Sequence, residues 1–446
     1  MTSVVEQFAS GVRYSNFAKA DDLKARLWFT LLALIVYRFG TYIPLPGINP
    51  EIMAEVARQN SGGIFAIFDM FSGGALQRMT VFALNIMPYI SASIIVQLLT
   101  AVFPHFEALR KEGESGRKKL NQYTRYGTVL LGIMQAYGIS VGLEHMHSGT
   151  SIAVVDPGFV FRITSVLTLV TGTLFLVWLG EQITARGVGN GTSLIIFSGI
   201  VANLPSSIVA MLELGRTGAL SVVFILFIVL MLVGVIAFIV FMERAQRRIY
   251  IQYPKRQVGT KLFGGESSHM PLKINSSGVI PPIFANSILL LPITIASLAA
   301  KGSGIMASLS TYLAHGQPVY IALYVAFIVF FSFFYTSIVF NPEETAENLR
   351  KHGGIIPGIR PGASTAEYFD YVMTRLTVIG AAYLAFICVL PELLIAKYAL
   401  PFYFGGTSIL IVVGVTIDTI SQIQAHLISH QYEGLLRKGA GKGMKK

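Results

Sequence analysis

Charge is what this sequence has least of. Only 13% of its 446 residues are Asp, Glu, Lys or Arg, while 53% are hydrophobic. An ordinary soluble domain is about one-quarter charged. A soluble chain of this length divides into about three domains, and 57 charges, 34 basic and 23 acidic, are too few to clothe three surfaces. The mean hydropathy of +0.62 agrees. The chain therefore reads as an integral membrane protein. Cysteine is almost absent. Cys388 stands alone, which excludes a disulfide framework and any multi-cysteine metal site. There is no GxxxxGK[ST] phosphate loop, so the chain is not an ordinary ATP-driven motor. No HExxH or Cys/His ligand spacing occurs, and His145 and His147, two apart in a short loop, read as solvated. No catalytic residue, metal ligand or cofactor is expected.

What the sequence does have is long apolar runs. A bilayer core about 30 Å thick calls for roughly 17–25 apolar residues per spanning helix. Ten segments qualify: 27–43, 79–103, 127–143, 163–179, 193–211, 219–242, 278–300, 319–340, 376–396 and 405–428. Helices are the default because each satisfies its own backbone polar groups, and the alternation of a membrane barrel is missing. Residues 1–26 hold Glu6, Lys19, Asp21, Asp22, Lys24 and Arg26 with no apolar stretch. The run from Leu27 lacks a following cleavage site and reads as a retained first span.

Of the 34 Lys and Arg, 27 fall in the amino-terminal segment, the loops after spans two, four, six and eight, or the carboxy-terminal tail. The other side has Arg58, Arg78, Arg216, Lys301 and Lys397, with Arg38 and Arg162 near its helix ends. This bias places both termini in the cytoplasm. Two N-x-[ST] matches, at Asn190 and Asn275, fall on that side and are discarded as glycosylation sites. Ten spans divide into two sets of five, and an odd number per set inverts one set relative to the other. The expected organisation is a cytoplasmic segment 1–26, a first half 27–211, a second half 212–428 and a cytoplasmic tail 429–446. The two halves share no clear sequence identity, so an inverted repeat about a central pathway is permitted rather than shown.

Charges inside spans are functional candidates by default. Only Arg38 and Asp418 lie well within a run, with Glu181 and Glu392 at run ends. A buried aspartate bonded to a polar neighbour accounts for Asp418. An ion-coupled transporter needs a relay of such groups, so their scarcity favours a passive pathway. Between spans one and two, SGGIFAIFDMFSGGAL brackets the apolar stretch 64–71 with glycine pairs. It is too short to span. It reads either as an interfacial helix or as a re-entrant stopper in a pore. Two long basic loops also stand out. In 243–273 the alternation over 248–253 predicts a strand. In 341–375 the Glu-rich start after Pro342 predicts a helix onset, and the Gly/Pro stretch after it a rigid turn. Such loops set topology or touch lipid, and arginines interleaved with aromatics also suit RNA.

Five stretches carry a resemblance: ALNIMPYISASIIVQLL from Ala83, GNGTSLIIFSGIV from Gly189, KINSSGVIPPIFANSILLLP from Lys273, FNPEETAENLRKHGGIIPGIRPG from Phe340 and FGGTSILIVV from Phe404. Together, in order and each at its span, they resemble the SecY family of protein-translocation channels across essentially the whole chain. The resemblance implies an all-α integral membrane protein of the bacterial inner membrane. Its ten transmembrane helices form two inverted five-helix halves around a central hourglass pore. It implies an aliphatic ring at the waist, formed by Ile86, Ile90, Thr192, Ile196, Ile283 and Ile411. Ile86/Ile90 and Thr192/Ile196 are i,i+4 pairs that share a helix face, and aliphatic constrictions close by dewetting. Thr192 departs from the family's usual aliphatic residue.

The resemblance further implies a plug over 64–75, with Ile64, Phe65, Ile67, Phe68 and Phe71, and a lateral gate whose polar members include Gln97, Asn286 and Ser287. It implies docking of the ribosome, including rRNA, and of the SecA ATPase on the two basic loops through Arg247, Arg248, Lys255, Arg256, Lys261 and Arg360. The partners it implies are the small subunits SecE and SecG, signal sequences, nascent polypeptides and the lipid bilayer. A secondary transporter with inverted repeats is the alternative, but it needs charged groups at midplane that the spans lack. A structural scaffold would have no use for the glycine-bracketed segment.

Overall fold

The computed structural model of the protein describes residues 21–59, 72–144, 147–148, 151–152, 154–217, 221–253, 256–258, 261–263, 267–299, 317–398 and 406–443. Its helices are α1 Asp21–Gly40, α2 Pro50–Gln59, α3 Met87–Val102, α4 Pro104–Lys111, α5 Glu114–Glu144, α6 Phe159–Arg186, α7 Gly191–Ala202, α8 Leu204–Arg216, α9 Val222–Arg244, α10 Ile280–Ala299, α11 Pro318–Val339, α12 Pro342–Lys351, α13 Ala363–Tyr398 and α14 Gly406–Gly443. Each of the ten expected spans falls on one of these helices or on a consecutive pair. Among the described residues, seven helical stretches are long and apolar enough to cross a bilayer, among them α7 and α8 taken together. Helices α3 and α4, bent by 98°, count as an eighth. The bend lies at Phe103, extended at φ −104 and ψ 123 ahead of Pro104, because the residue before a proline is driven out of the helical region.

The second span differs from expectation at its start. The apolar run opens at Met79, yet helix begins only at Met87. Met79 and Asn85 adopt φ of 44° and 50°, left-handed values that no right-handed helix accommodates. Residues 73–86 form a run of turns instead, interrupted by the bridge of Thr80 to Pro44.

The described residues group into two compact units. The first draws on Met1–Ser93, Asn121–Ser206 and Ile411–Lys446. Within it, α5 and α6 run antiparallel and are clamped at both ends. Arg125 pairs with Glu181 at 2.6 Å, and Arg162 pairs with Glu144 at 2.6 Å. On each helix the two clamping residues are 19 apart, about 28 Å at the helical rise, close to the thickness of a bilayer core.

The second unit draws on Ile94–Leu120 and Ser207–Leu410. It packs α10 on α11, where Phe284 meets Phe331 and Tyr335 edge-on. It also holds the two basic loops. Strand β3 Gln246–Gln252 pairs antiparallel with β6 Ser267–Lys273, with Arg248 opposite Pro271. Between them, β4 Arg256–Val258 pairs with β5 Lys261–Phe263. Two short strands, β1 His147–Ser148 and β2 Ser151–Ile152, pair in the first unit.

Candidate functional site

The expected plug residues Ile64, Phe65, Ile67, Phe68 and Phe71 lie outside the described residues, but the chain that leaves them is well held. Tyr37 donates its hydroxyl to the Ser72 carbonyl at 3.4 Å, and Arg38 Nη1 donates to the Gly73 carbonyl at 2.7 Å. Ser72 Oγ accepts from the Leu76 N–H. Further on, Leu45 N–H donates to Met79 O at 2.9 Å and Val81 N–H to Ile43 O at 3.0 Å. These bonds satisfy non-helical backbone inside protein, the condition for placing it at membrane depth. Gly172 in α6 makes room for the segment. A Cβ there would meet the Val81 carbonyl oxygen at 2.2 Å. Phe82 stacks on Tyr37 and Phe175.

The ring positions divide between the units. Ile86, immediately before α3, is buried in a core with Tyr37, Leu176, Leu179 and Leu194, and Ile90 packs against the same core. Ile90 N–H donates to Ile86 O at 3.0 Å, so the one-turn spacing survives the late helix start. Thr192 stands in the first turn of α7, its hydroxyl donating to Asn190 Oδ1 at 2.5 Å. Its methyl lies against Gly180 of α6, where an added Cβ would come within 3.3 Å. Ile196, one turn on, is buried, as is Ile411 on α14. Ile283, half-buried on α10, belongs to the second unit. Of the expected gate residues, Gln97 is half-buried on α3. Asn286 and Ser287 are buried on α10. Among the described residues, the Ser287 hydroxyl has no hydrogen-bond partner.

The basic loops, read separately in the sequence, form one platform. Gln252 at the end of β3 exchanges both backbone bonds with Ile355, at 2.8 and 2.9 Å. Beneath, Ile249, Leu272, Ala346, Ile356, Phe369, Val372, Met373 and Leu376 form a buried aliphatic and aromatic core. The strand predicted over 248–253 is β3, and the helix predicted after Pro342 is α12. Asn341 Oδ1 caps α12 by accepting from the Glu343 and Glu344 N–H groups. Arg247 and Arg248 are exposed on β3, and Arg360 is exposed on the turn after α12. The Thr365 hydroxyl donates to the Arg360 carbonyl at 2.9 Å and fixes that turn. Arg256 and Lys261 fall on β4 and β5. Lys255 lies outside the described residues.

Three features went unread in the sequence. The Arg–Glu clamps of α5 and α6 join residues 56 and 18 apart, far beyond a local motif. The only sequence sign of them is the repeated 19-residue interval from Arg to Glu. Arg38, singled out as an intramembrane charge, anchors Gly73. Asp418 is corrected: it is exposed on α14, not buried against a polar neighbour.

Known proteins are similar to this chain in sequence and in fold. The SecY family model matches residues 80–420. A protein translocase subunit SecY from Rickettsia conorii is 58% identical over 425 residues, covering 95% of this chain and 98% of that protein. A solved structure described as that of a protein conducting channel superposes with a TM-score of 0.67 at 18% identity, over 91% of this chain and 93% of that one. Sec61 in a canine ribosome–channel complex from the endoplasmic reticulum superposes with a TM-score of 0.64 at 17% identity, over 91% and 93%. At these identities the two structures speak for the fold.

Proposed function

The chain belongs to the SecY family, and from that premise we propose that it is the central protein-conducting channel of a bacterial Sec translocase. It is a multi-pass membrane protein of a non-enzyme family. The observation that carries the reading is 58% identity, over 95% of the chain, to a protein translocase subunit. Unfolded preproteins cross the membrane through it, and apolar segments leave sideways into lipid. The secondary-transporter alternative is not favoured, because the family is one of protein channels.

In this reading the protein sits in the inner membrane with both termini cytoplasmic, as the distribution of 27 of 34 basic residues supports. Ile86, Ile90, Ile196, Ile283 and Ile411 close the waist, and residues 64–75 plug it. Thr192 contributes its packed methyl rather than its hydroxyl, which Asn190 holds. Gln97, Asn286 and Ser287 belong to the lateral gate. Interhelical polar contacts are worth only about 1 kcal/mol in a membrane, weak enough to part when a signal sequence enters. SecE and SecG are the small membrane partners. The ribosome and SecA dock on the platform bearing Arg247, Arg248 and Arg360. The energy for transport comes from those partners, since the chain has no phosphate loop.

The test is reconstitution of the full chain with SecE and SecG into vesicles. With SecA and ATP added, a radiolabelled preprotein becomes protected from external protease. Protection no greater than in vesicles lacking this chain overturns the reading.

A further inference from the structure

Arg38 and Arg78 come together at one aromatic ring. The Arg38 guanidinium carbon lies 5.2 Å from the Tyr42 ring centroid and that of Arg78 lies 4.2 Å away. Arg38 Nη2 also donates to the Tyr42 hydroxyl at 3.3 Å. The glycine pair Gly73–Gly74 seats both cations. A Cβ on Gly73 would stand 3.0 Å from Arg38 Nη1, and one on Gly74 2.7 Å from Arg78 Nη2. Both glycines are held at positive φ, 67° and 87°. Two like charges are thus built into one spot. Among the described residues, neither guanidinium takes part in an ion pair.

The donors are also underused. Each guanidinium carries five N–H groups. Arg38 spends one group on the Gly73 carbonyl and one on the Tyr42 hydroxyl, and Arg78 reaches the Thr41 carbonyl only at 3.5 Å. The arrangement therefore calls for an anion with several acceptor oxygens.

The helix says where that anion comes from. Trp28, Leu31, Leu32, Ile35 and Phe39 are exposed along one face of α1, and Tyr42, 57% exposed, follows them at the helix end. Positions three and four apart lie on one helical face, so this is an apolar stripe turned outward from its unit. It starts after the charged turn of Asp22 and Arg26 and ends at an aromatic residue. Tyrosines mark the level of the head groups, and an arginine within a span turns its guanidinium toward that level. Arg38 does so, reaching four residues on to Tyr42.

We propose that Arg38 and Arg78, both close to the Tyr42 ring, bind the phosphate of an anionic phospholipid in the leaflet at the carboxy-terminal end of α1. The inference rests on the membrane-spanning reading alone and is independent of the transport role. Guanidinium donors match phosphate oxygens bidentately, and the acyl chains lie along the stripe from Phe39 to Trp28.

The experiment uses the assembled translocase in nanodiscs doped with a photoactivatable phosphatidylglycerol, with the labelled peptides mapped by mass spectrometry. Adducts are expected on the peptide spanning Arg38–Tyr42 or the one bearing Arg78. Arg78→Gln lowers them about tenfold, the effect of losing a charge-assisted bond, and Arg38→Gln/Arg78→Gln removes them. Arg78→Gln leaves the Arg38–Gly73 bond in place, so it stays informative if the double variant fails to assemble. Unlabelled phosphatidylglycerol competes, and millimolar inorganic phosphate does not. Undiminished labelling in an assembled Arg78→Gln complex overturns the proposal, as does displacement by inorganic phosphate. So does a protein–protein adduct from a photoreactive residue placed at Tyr42, which would mean that a partner subunit covers the site.

Discussion

The segment 72–86 and the platform built from β3, β6, α12 and the start of α13 are both departures from the spanning helix, and they are stabilised in opposite ways. The segment has little freedom of its own. Its polar backbone is held by Tyr37, Arg38 and the 43–45 strand-like stretch, and its path depends on a glycine in a neighbouring helix. The platform stands on an aliphatic and aromatic core of its own and keeps its arginines outside. Backbone in an apolar surround must have every polar group met by protein, whereas backbone in water can be left to solvent at a loop surface. The segment should therefore fail through bulk. The platform should fail only when its core is cut, and it should accept charge reversal without unfolding.

The largest expected effect tests the first half of that contrast. Gly172→Val puts a branched side chain where the Val81 carbonyl sits 2.2 Å from an added Cβ. Neither backbone can yield, because Val81 is also bonded to Ile43. Overpacking of this kind costs about 1–3 kcal/mol and more where backbone is struck, so the variant should not accumulate in the membrane. Immunoblot levels equal to those of the parent would show that the segment is looser than its hydrogen bonds indicate.

Next comes the platform's core. Phe369 is fully buried and meets Phe340 edge-on. Phe369→Ala removes an aromatic side chain from a packed core, worth about 3–5 kcal/mol. That core reaches into the spans through the α13 residues Phe369 to Leu376, so proteolytic sensitivity should appear in 246–273 and 342–362 while the other membrane helices stay protected. Cleavage within the spans at the same rate would mean that the platform is not a separate packing unit.

Charge reversal on the platform's outside should give the converse. Arg360 is exposed on a turn fixed by Thr365, so Arg360→Glu removes no packing. At a docking surface, placing like charges together costs several kcal/mol. SecA-driven transport should fall at least about tenfold, which corresponds to 1.4 kcal/mol, at normal membrane abundance. Normal transport at normal abundance refutes the docking role. Loss of both together places Arg360 in the fold instead.

The same contrast decides what the sequence could disclose. Helical spans and the platform's elements follow from local signals. Hydropathy marked ten segments that overlap helices, seven or eight of them long and apolar enough to cross a bilayer among the described residues, alternation located β3, and Pro342 with its glutamates located α12. The segment 72–86 was not legible, because 79–86 is as apolar as any helix. Its turns are made by the left-handed φ of Met79 and Asn85, and hydropathy carries no information about φ. Long-range partners were equally hidden. Nothing near Gln252 points to Ile355, and nothing near Gly172 points to Val81. The exposure of Asp418 depends on what α14 packs against, which a single helix's sequence does not contain. Within the candidate site, the motifs supplied the residue positions, while the seating of Thr192 against Gly180 and of Arg38 on Gly73 required coordinates.

The smallest effect sharpens the platform's half of the comparison by asking whether α12 starts where it does for a local reason. Asn341 Oδ1 accepts from Glu343 N–H at 3.1 Å and Glu344 N–H at 3.3 Å, and Glu343 and Glu344 occupy the first turn. An N-cap of this type contributes about 1 kcal/mol, and first-turn carboxylates add favourably to the helix dipole. The other end is also matched, with Arg350 and Lys351 in the last turn and Lys351 paired with Glu347 at 3.1 Å. If the helix owes its start to the cap, Asn341→Ala should raise amide hydrogen exchange across the first turn of α12 by about fivefold, the equivalent of 1 kcal/mol. Asn341→Asp keeps an acceptor oxygen and should exchange as the parent does. Ala346 and Leu349 anchor the far face of α12 in the platform core, so amides near 349 should stay protected in both variants. Uniform loss of protection from 342 to 351 in Asn341→Ala would mean that the cap holds the whole helix on the core. No change at Glu343 and Glu344 would mean that packing alone sets where α12 begins.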